Sequence, residues 1–585
     1  MIRLESGRIG NVIEVNSERV TIEVSKELNN YNIIHKGNLY RIGQIGSFLK
    51  VITGLSYIYG IVESFSTYMV SGESILEKKV INLSLFGYKN VNGVFNSGVK
   101  VTPSIEDIAY VLEEEDIESI FKSNMAFPLK IGNNYYATSL PVYVNLNEFI
   151  LKHSLIVGST GSGKSNTVAY ILSNIVEEYP SSRALIIDIH GEYLNYIGDN
   201  SIEFSVFNSK NNLVIPYWML DFDSLCKMFN FPSSNIMSTT TDLFRDRILQ
   251  MKKEFIKSSD LATKLKLNDI NINSPIPFDI KEIWYEFHCR GYGTFNSTDR
   301  KLSDLAFKVD ENGKSLIGCA DKLIKPEFEP YPTTVSAPYK SNETNFRDIS
   351  DKMHKLLLDD NYVFMFGSSD FITGNKSVNE LIANWIDNEK QITILNLRGI
   401  PYQVLDVVIG IISNLIFDCI YYSLKAKLAF ESRPILVCFE EAHKYLNNQI
   451  KGSYSIKSVE RILKEGRKFG IGAMVISQRP VEITKTIISQ ICTFIALRLS
   501  NKEDQSQIKE FAPTNFSIFL KSLPSLSTGD AFVLGESMQL PMKVKIPLLD
   551  SVKSVEFDKR ISVWKEERKN NPDYSETIER WMQKQ

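Results

Sequence analysis

The residues Gly158-Ser-Thr-Gly-Ser-Gly-Lys-Ser165 match G-x-x-x-x-G-K-[ST] at every fixed position. An apolar lead-in at 154–157 and a helix-like run at 166–176 supply the strand–loop–helix setting that this motif needs. Gly158, Gly161 and Gly163 let backbone N–H groups turn inward around phosphate oxygens. Ser159, Thr160, Ser162 and Asn166 complete the loop and the start of the helix behind it. Lys164 has the reach for β- and γ-phosphates, and the Ser165 hydroxyl suits Mg²⁺. ATP with Mg²⁺ is the expected cofactor pair.

A second constellation lies far downstream. The apolar run at 435–439 ends in Glu440-Glu441. Beside bound phosphates, one acid of such a pair would hold the metal and the next would polarise a water. Glu440 is read as the metal-side acid and Glu441 as the general base. Gln478 ends another strand-like run and could sense the γ-phosphate or the water. Arg461 and Arg467 are candidates for neutralising charge on the transferred phosphoryl group, although surface arginines are commoner. Asp188, His190 and Glu192 end the run at 184–189 and could line the same cleft or form a polar turn.

Elements must hold these residues together. Strand candidates fall at 155–157, 184–189, 392–397, 435–439, 472–477 and 494–499, mostly as continuous apolar runs of the kind that buried parallel strands show. Helical stretches between them predict an α/β, doubly wound sheet. Residues 1–145 instead alternate short β-rich runs with glycine turns, at 8–15, 19–24, 39–48 and 50–62, and suggest a small β-barrel. The acidic stretch at 105–121 reads as a helix with a solvated face. The core is expected over 146–550. At about 207–360 the α/β rhythm stops, which suggests a helical insertion on the surface. A helical tail is expected over 551–585, where Trp564 and Trp581 would need a surface to dock on and Asp573 with Glu576 resembles a capping box.

Composition narrows the class. A net charge of −3 gives no global sign of nucleic acid, so any such contact must be local. The six cysteines are scattered without C-x-x-C spacing, as in a reduced, cytoplasmic protein without a zinc site. The N-terminus does not read as a signal peptide. The most membrane-like stretch, 404–422, is interrupted by Asp406, Asn414 and Asp418, so a buried helix and no membrane contact are expected.

Taken together, 158–165, 186–193, 439–443, 465–470, 477–480 and 493–500, with 529–535 and 541–545 as closing strands, resemble the HerA family of the FtsK–HerA superfamily. The resemblance implies a RecA-like core, a HAS-barrel, a homo-hexameric ring, ATP hydrolysis at subunit interfaces and DNA moved through a central pore by a translocase or helicase. It also implies a partner: a NurA-like nuclease, or a nuclease or NAD-consuming effector of antiviral defence. One departure is that the family often has Asp where Glu440 stands. An ATP-controlled ring scaffold, or a protein motor like type IV secretion ATPases, are the alternative readings.

Overall fold

The computed structural model describes residues 7–549 and 574–583, apart from 17–18, 27, 29–31, 36–37, 43–44, 71–75, 91–92, 94, 114, 117–119, 121–124, 136–140, 209, 230, 232–238, 333–335, 368, 374–376, 426–432, 450–451, 512–520 and 539–540.

The N-terminal part is β1 (Arg8–Val15), β2 (Arg19–Val24), a small hairpin of β3 (Asn32–His35) and β4 (Asn38–Arg41), then β5 (Phe48–Thr53), β6 (Ser56–Val70), β7 (Leu76–Lys89), β8 (Phe95–Ser97) and β9 (Ile108–Val111). Antiparallel pairing runs β2-β1-β9-β5-β6-β7, and β2 also pairs with β7, which closes a six-stranded barrel. Two local expectations are corrected. The run at 50–62 is not one strand, because Gly54 at φ +56° turns β5 into β6. The stretch read as an acidic helix contains β9, the strand that fills the gap between β1 and β5. Its acids are not simply solvated: Asp116 is buried, and accepts from Lys50 Nζ at 2.5 Å, Tyr59 OH at 3.1 Å and the Glu113 N–H at 3.0 Å.

The chain then enters a large mixed sheet. Its strands are β10 (Pro128–Asn134), β11 (Pro141–Asn145), β12 (Ser154–Val157), β13 (Ala184–Asp188), β14 (Ser201–Ser205), β17 (Ile392–Asn396), β18 (Ile435–Phe439), β19 (Ile471–Ser477), β20 (Thr493–Ala496), β21 (Asp530–Gly535) and β22 (Met542–Lys545); β15 (Thr294–Phe295) and β16 (Tyr339–Lys340) form a separate ribbon. The spatial order is β11-β10-β22-β21-β20-β12-β19-β18-β13-β17-β14, parallel from β20 to β14 and antiparallel from β20 outward through β21, β22, β10 and β11. The change of sheet falls between Val111 and Pro128, so β10 and β11 belong to the sheet even though they precede residue 146. Side chains alternate across it: Leu155 and Val157 face one apolar cluster, Ile156 the other.

Three helices matter for the site. α1 (Lys164–Glu178) follows β12, and its Val168, Ile171 and Leu172 share a cluster with Ile156 and with Tyr59 and Phe95 of the barrel. α2 (Tyr402–Lys425) and α3 (Tyr454–Glu465) cover the other face, where α2 supplies Val408, Ile412 and Ile416. Among the described residues α2 is long and apolar enough to cross a membrane, with mean hydropathy 1.9, yet 61% of its apolar window is buried in the fold. Its three polar interruptions are all used on α3. Asp406 accepts from the Tyr454 and Ser455 N–H groups, Asn414 donates to Tyr454 OH, and Asp418 pairs with Arg461.

The segment 207–360 is not a surface appendage. Trp218, Phe244, Trp284 and Phe287 are buried and belong to the same cluster as α2 and the sheet. Its helices at Thr239–Ser258 and Ile280–Tyr292 carry no local sign in the sequence of which surface they cover. In the tail, the helix at 575–583 exposes Ile578 and Met582; Trp564, Asp573 and the side chain of Trp581 lie outside the described residues.

His153 anchors the start of β12. It is buried, sits at φ +61°, donates from Nε2 to Leu463 O at 2.9 Å and accepts the Ala473 N–H at Nδ1 at 3.1 Å. Burial, with Arg467 nearby, pulls its pKa down to about 4, against a favourable hydrogen bond to Leu463 O. The unfolded chain therefore binds the extra proton first, so this contribution is complete above pH ~6.5 and is lost as pH falls toward 4. Between pH 7 and 4, wild type should lose about 3 kcal/mol more stability than His153→Asn, which tolerates the left-handed backbone and does not titrate. Urea midpoints across that range measure the difference.

Candidate nucleotide site

Adjacent parallel strands end level with one another. Val157 of β12 is opposite Ser477 of β19, while β18 and β13 follow in the next places. Their C-terminal ends carry, in order, the glycine loop, Gln478, Glu440-Glu441 and Asp188. Such a row of strand ends is where open α/β sheets bind ligands.

The loop is held from both flanks. Gly158 N–H donates to Ser477 O at 3.3 Å, and the Ser159 N–H and hydroxyl both donate to Arg498 O, at 2.8 and 3.0 Å. Thr528 Oγ1 and Arg498 Nη2 reach the Gly161 carbonyl, at 3.2 and 3.5 Å. Asn166 clasps the chain after β22, donating to Pro547 O and accepting the Leu549 N–H, each at 3.0 Å. Gly161 and Gly163 have φ of +72° and +102°, and a Cβ on Gly158 would stand 2.4 Å from Ser162 Oγ, so these positions need glycine. Lys164 folds back on the loop, its Nζ 2.9 Å from Gly158 O and 3.4 Å from Ser159 O. Burial lowers the lysine pKa, opposed by Glu441, Glu440 and Glu192.

The acids divide into two environments. Glu440 is buried; its Oε2 accepts the Ile189 N–H at 3.1 Å. Burial first, then the charge of Asp188 and a hydrogen bond to it, push the Glu440 carboxyl far above the usual range. Asp188 also accepts the His190, Gly191 and Tyr193 N–H groups, at 3.1, 2.8 and 3.0 Å. Glu441 turns the other way, at φ +45°. Its Oε1 accepts from Gln478 Nε2, and Gln478 Oε1 accepts from Thr160 Oγ1 at 2.7 Å. Its Oε2 is buried without a hydrogen-bond donor among the described residues, 3.3 Å from His443 Nδ1. Burial lowers the His443 pKa, and that ring nitrogen also stands 3.2 Å from Ser477 Oγ.

A divalent cation fits this chemistry. The Ser165 hydroxyl lies 3.5 Å from Glu192 Oε2, and the surrounding donors are all oxygen, as hard cations require. Among the described residues no cluster of three or more His, Cys, Asp or Glu forms a metal cage. The carboxylate nearest Ser165 by these contacts is Glu192 rather than Glu440, which is engaged with Asp188.

Neither arginine of the sequence reading joins this cluster. β19 leads from the Arg467 end of the sheet to Gln478, and seven residues of strand span about 23 Å. Arg461 pairs with Asp418 at 2.8 Å and stacks 3.9 Å from the Phe417 ring centroid. Arg467 is exposed and makes no ion pair among the described residues. His190 is turned outward, 2.8 Å from Lys444 Nζ. Arg498, Thr528, Ser477 and His443 are contributors that motif reading did not assign. Arg498 and His443 stood inside recognised motifs, but their roles depend on strand order.

A glycine phosphate cradle at the end of a central parallel strand, with acids at the end of the next strand but one, defines a P-loop ATPase on a RecA-like core. Residues 129–416 match the family model described as "Helicase HerA, central domain". "Probable helicase MJECL08" of Methanocaldococcus jannaschii is 25% identical over 520 residues, covering 87% of this chain and 86% of that protein. "DNA double-strand break repair helicase HerA" of Saccharolobus solfataricus is 26% identical, covering 75% and 72%. Among solved structures, VirB4 of Thermoanaerobacter pseudethanolicus aligns at TM-score 0.47 and 13% identity, over 72% of this chain and 97% of that one. The chain is thus similar to HerA helicases, with a match to their central domain over residues 129–416.

Lys164→Ala removes the ammonium that folds over the Gly158 and Ser159 carbonyls. It should weaken ATP affinity by at least about tenfold, the loss of a charged hydrogen bond, without unfolding the sheet. Fluorescent-nucleotide titration alongside thermal melting checks both halves.

Proposed function

We propose that this HerA-like ATPase assembles as a homo-hexamer that hydrolyses ATP at its subunit interfaces and drives DNA through a central pore as a translocase or helicase. The observation that carries the hydrolytic part is the arrangement of Glu441. One carboxylate oxygen is held by Gln478, and the other, buried 3.3 Å from His443 Nδ1, accepts no hydrogen bond among the described residues. That second oxygen is suited to take a proton from an attacking water. Lys164 and the loop N–H groups bind the β- and γ-phosphates, and Gln478 orients the base. When bound, Mg²⁺ would supply charge neutralisation on the phosphate oxygens, held by Ser165 with Glu192, and with Glu440 through water. Support for DNA as the substrate is the naming of the relatives as helicases. The partner is a NurA-like nuclease or an NAD-consuming or nuclease effector of antiviral defence, a reading supported by the family resemblance alone. We assign the charge supplied by a neighbouring subunit to Arg467, because Arg461 already neutralises Asp418.

Glu441→Gln should retain ATP while losing about 10² to 10⁴ in turnover. Nucleotide retention and phosphate release, each with and without duplex DNA, test base and substrate together. Wild-type turnover by this variant would remove Glu441 from the role. Arg467→Ala should leave ring mass by light scattering unchanged and lower hydrolysis by roughly 10³ or more. Arg461→Ala should instead lower thermal stability through loss of the α2–α3 contact.

A further inference from the structure

β19 lies between β12 and β18, so the phosphate loop and the acidic pair do not sit on neighbouring strands. A side chain that touches both must come from the end of β19. Gln478 does so, with Thr160 on one side and Glu441 on the other. A glutamine amide is directional: one end only accepts, the other only donates. A carboxylate oxygen can only accept, so the amide nitrogen must face Glu441. The amide oxygen then faces Thr160, whose hydroxyl must donate. A flipped amide would set two acceptors against each other at Glu441.

We propose that Thr160, through its side-chain hydroxyl, is a positioning residue for hydrolysis: it fixes the orientation of the Gln478 amide and thereby the general base. This goes beyond the loop's backbone hold on phosphate, and it rests on Glu441 acting as the base. Two features support it. Thr160 stands on the exposed rim of the loop, while Glu441 is buried, so the contact links the open phosphate side to the enclosed base. Glu441 also has a left-handed backbone, which bulky residues rarely adopt, so its place depends on partners that hold it. Its described side-chain donor is Gln478. With the hydroxyl gone, the amide loses its fixed partner and can turn away from the carboxylate. The Glu441 oxygen that faces His443 keeps its lone pair but loses its aim.

The test is a kinetic cycle on the full chain with ATP and Mg²⁺. Thr160→Val keeps shape and removes the hydroxyl; it should lower kcat about tenfold, the worth of one hydrogen bond, and leave KM nearly unchanged. Thr160→Ser should restore kcat. In a Gln478→Ala background, Thr160→Val should have no further effect, because residues acting through one another are not additive. Full activity of Thr160→Val, a loss confined to KM, or an equal loss in the Gln478→Ala background would each overturn the relay. The base is tested apart from it. An active Glu441→Gln variant would remove the base and the relay together, whereas an inactive Glu441→Gln beside a fully active Thr160→Val would overturn the relay alone.

Discussion

Parallel register is the constraint on which the site depends. β20, β12, β19, β18 and β13 are buried on both faces and hydrogen-bonded side by side, so their C-terminal ends form one level edge. Residues from positions as distant as 158, 188, 441 and 478 meet there because each stands at or just past the C-terminal end of an apolar strand. Slipping any strand by one residue would turn its apolar set to the wrong face and withdraw its terminal side chain together. The same register that builds the core therefore fixes the chemistry.

Burial then gives similar groups different behaviour. Glu440 and Glu441 are neighbours in the chain and both are buried. Glu440 faces Asp188, another carboxyl, and burial together with that neighbour's charge pushes the Glu440 carboxyl well up. Glu441 faces amide and imidazole groups and keeps an oxygen without a donor among the described residues. The left-handed turn at Glu441 is what sends the two side chains apart. Lys164, drawn down by burial and up by three carboxylates, is the cation these acids share.

The rest of the molecule supports this edge from behind. α1 begins in the glycine loop and packs on the sheet face that also meets the barrel. α2 and α3, with the aromatic residues of 207–360, close the opposite face. Asp406, Asn414 and Asp418 show how an apolar helix carries polar groups: each is partnered by α3, Asp418 at a half-exposed edge, and Gly410 lets the Tyr454 ring approach closely enough that a Cβ would collide with it at 2.2 Å.

Much of this was legible from sequence because the signals are local. The glycine loop, the apolar strand runs and the acids ending one of them follow from spacing and periodicity, and the six strands expected around the site stand in the central sheet. A helix start and a buried strand are written in consecutive residues, and so is the need for glycine at 161 and 163. What tertiary structure alone decided is adjacency. Nothing in the chain order says that β19 separates β12 from β18, so the contacts of Gln478 with Thr160 and Glu441 could not be read. β9 was hidden by its acidic surroundings, since its strand character comes from filling a gap in the barrel rather than from its own pattern. Likewise the pairing of Arg461 with Asp418, 43 residues earlier, is decided by how α2 packs on α3 and not by anything local in the chain. Periodicity names the face that a segment buries; only packing names what it is buried against.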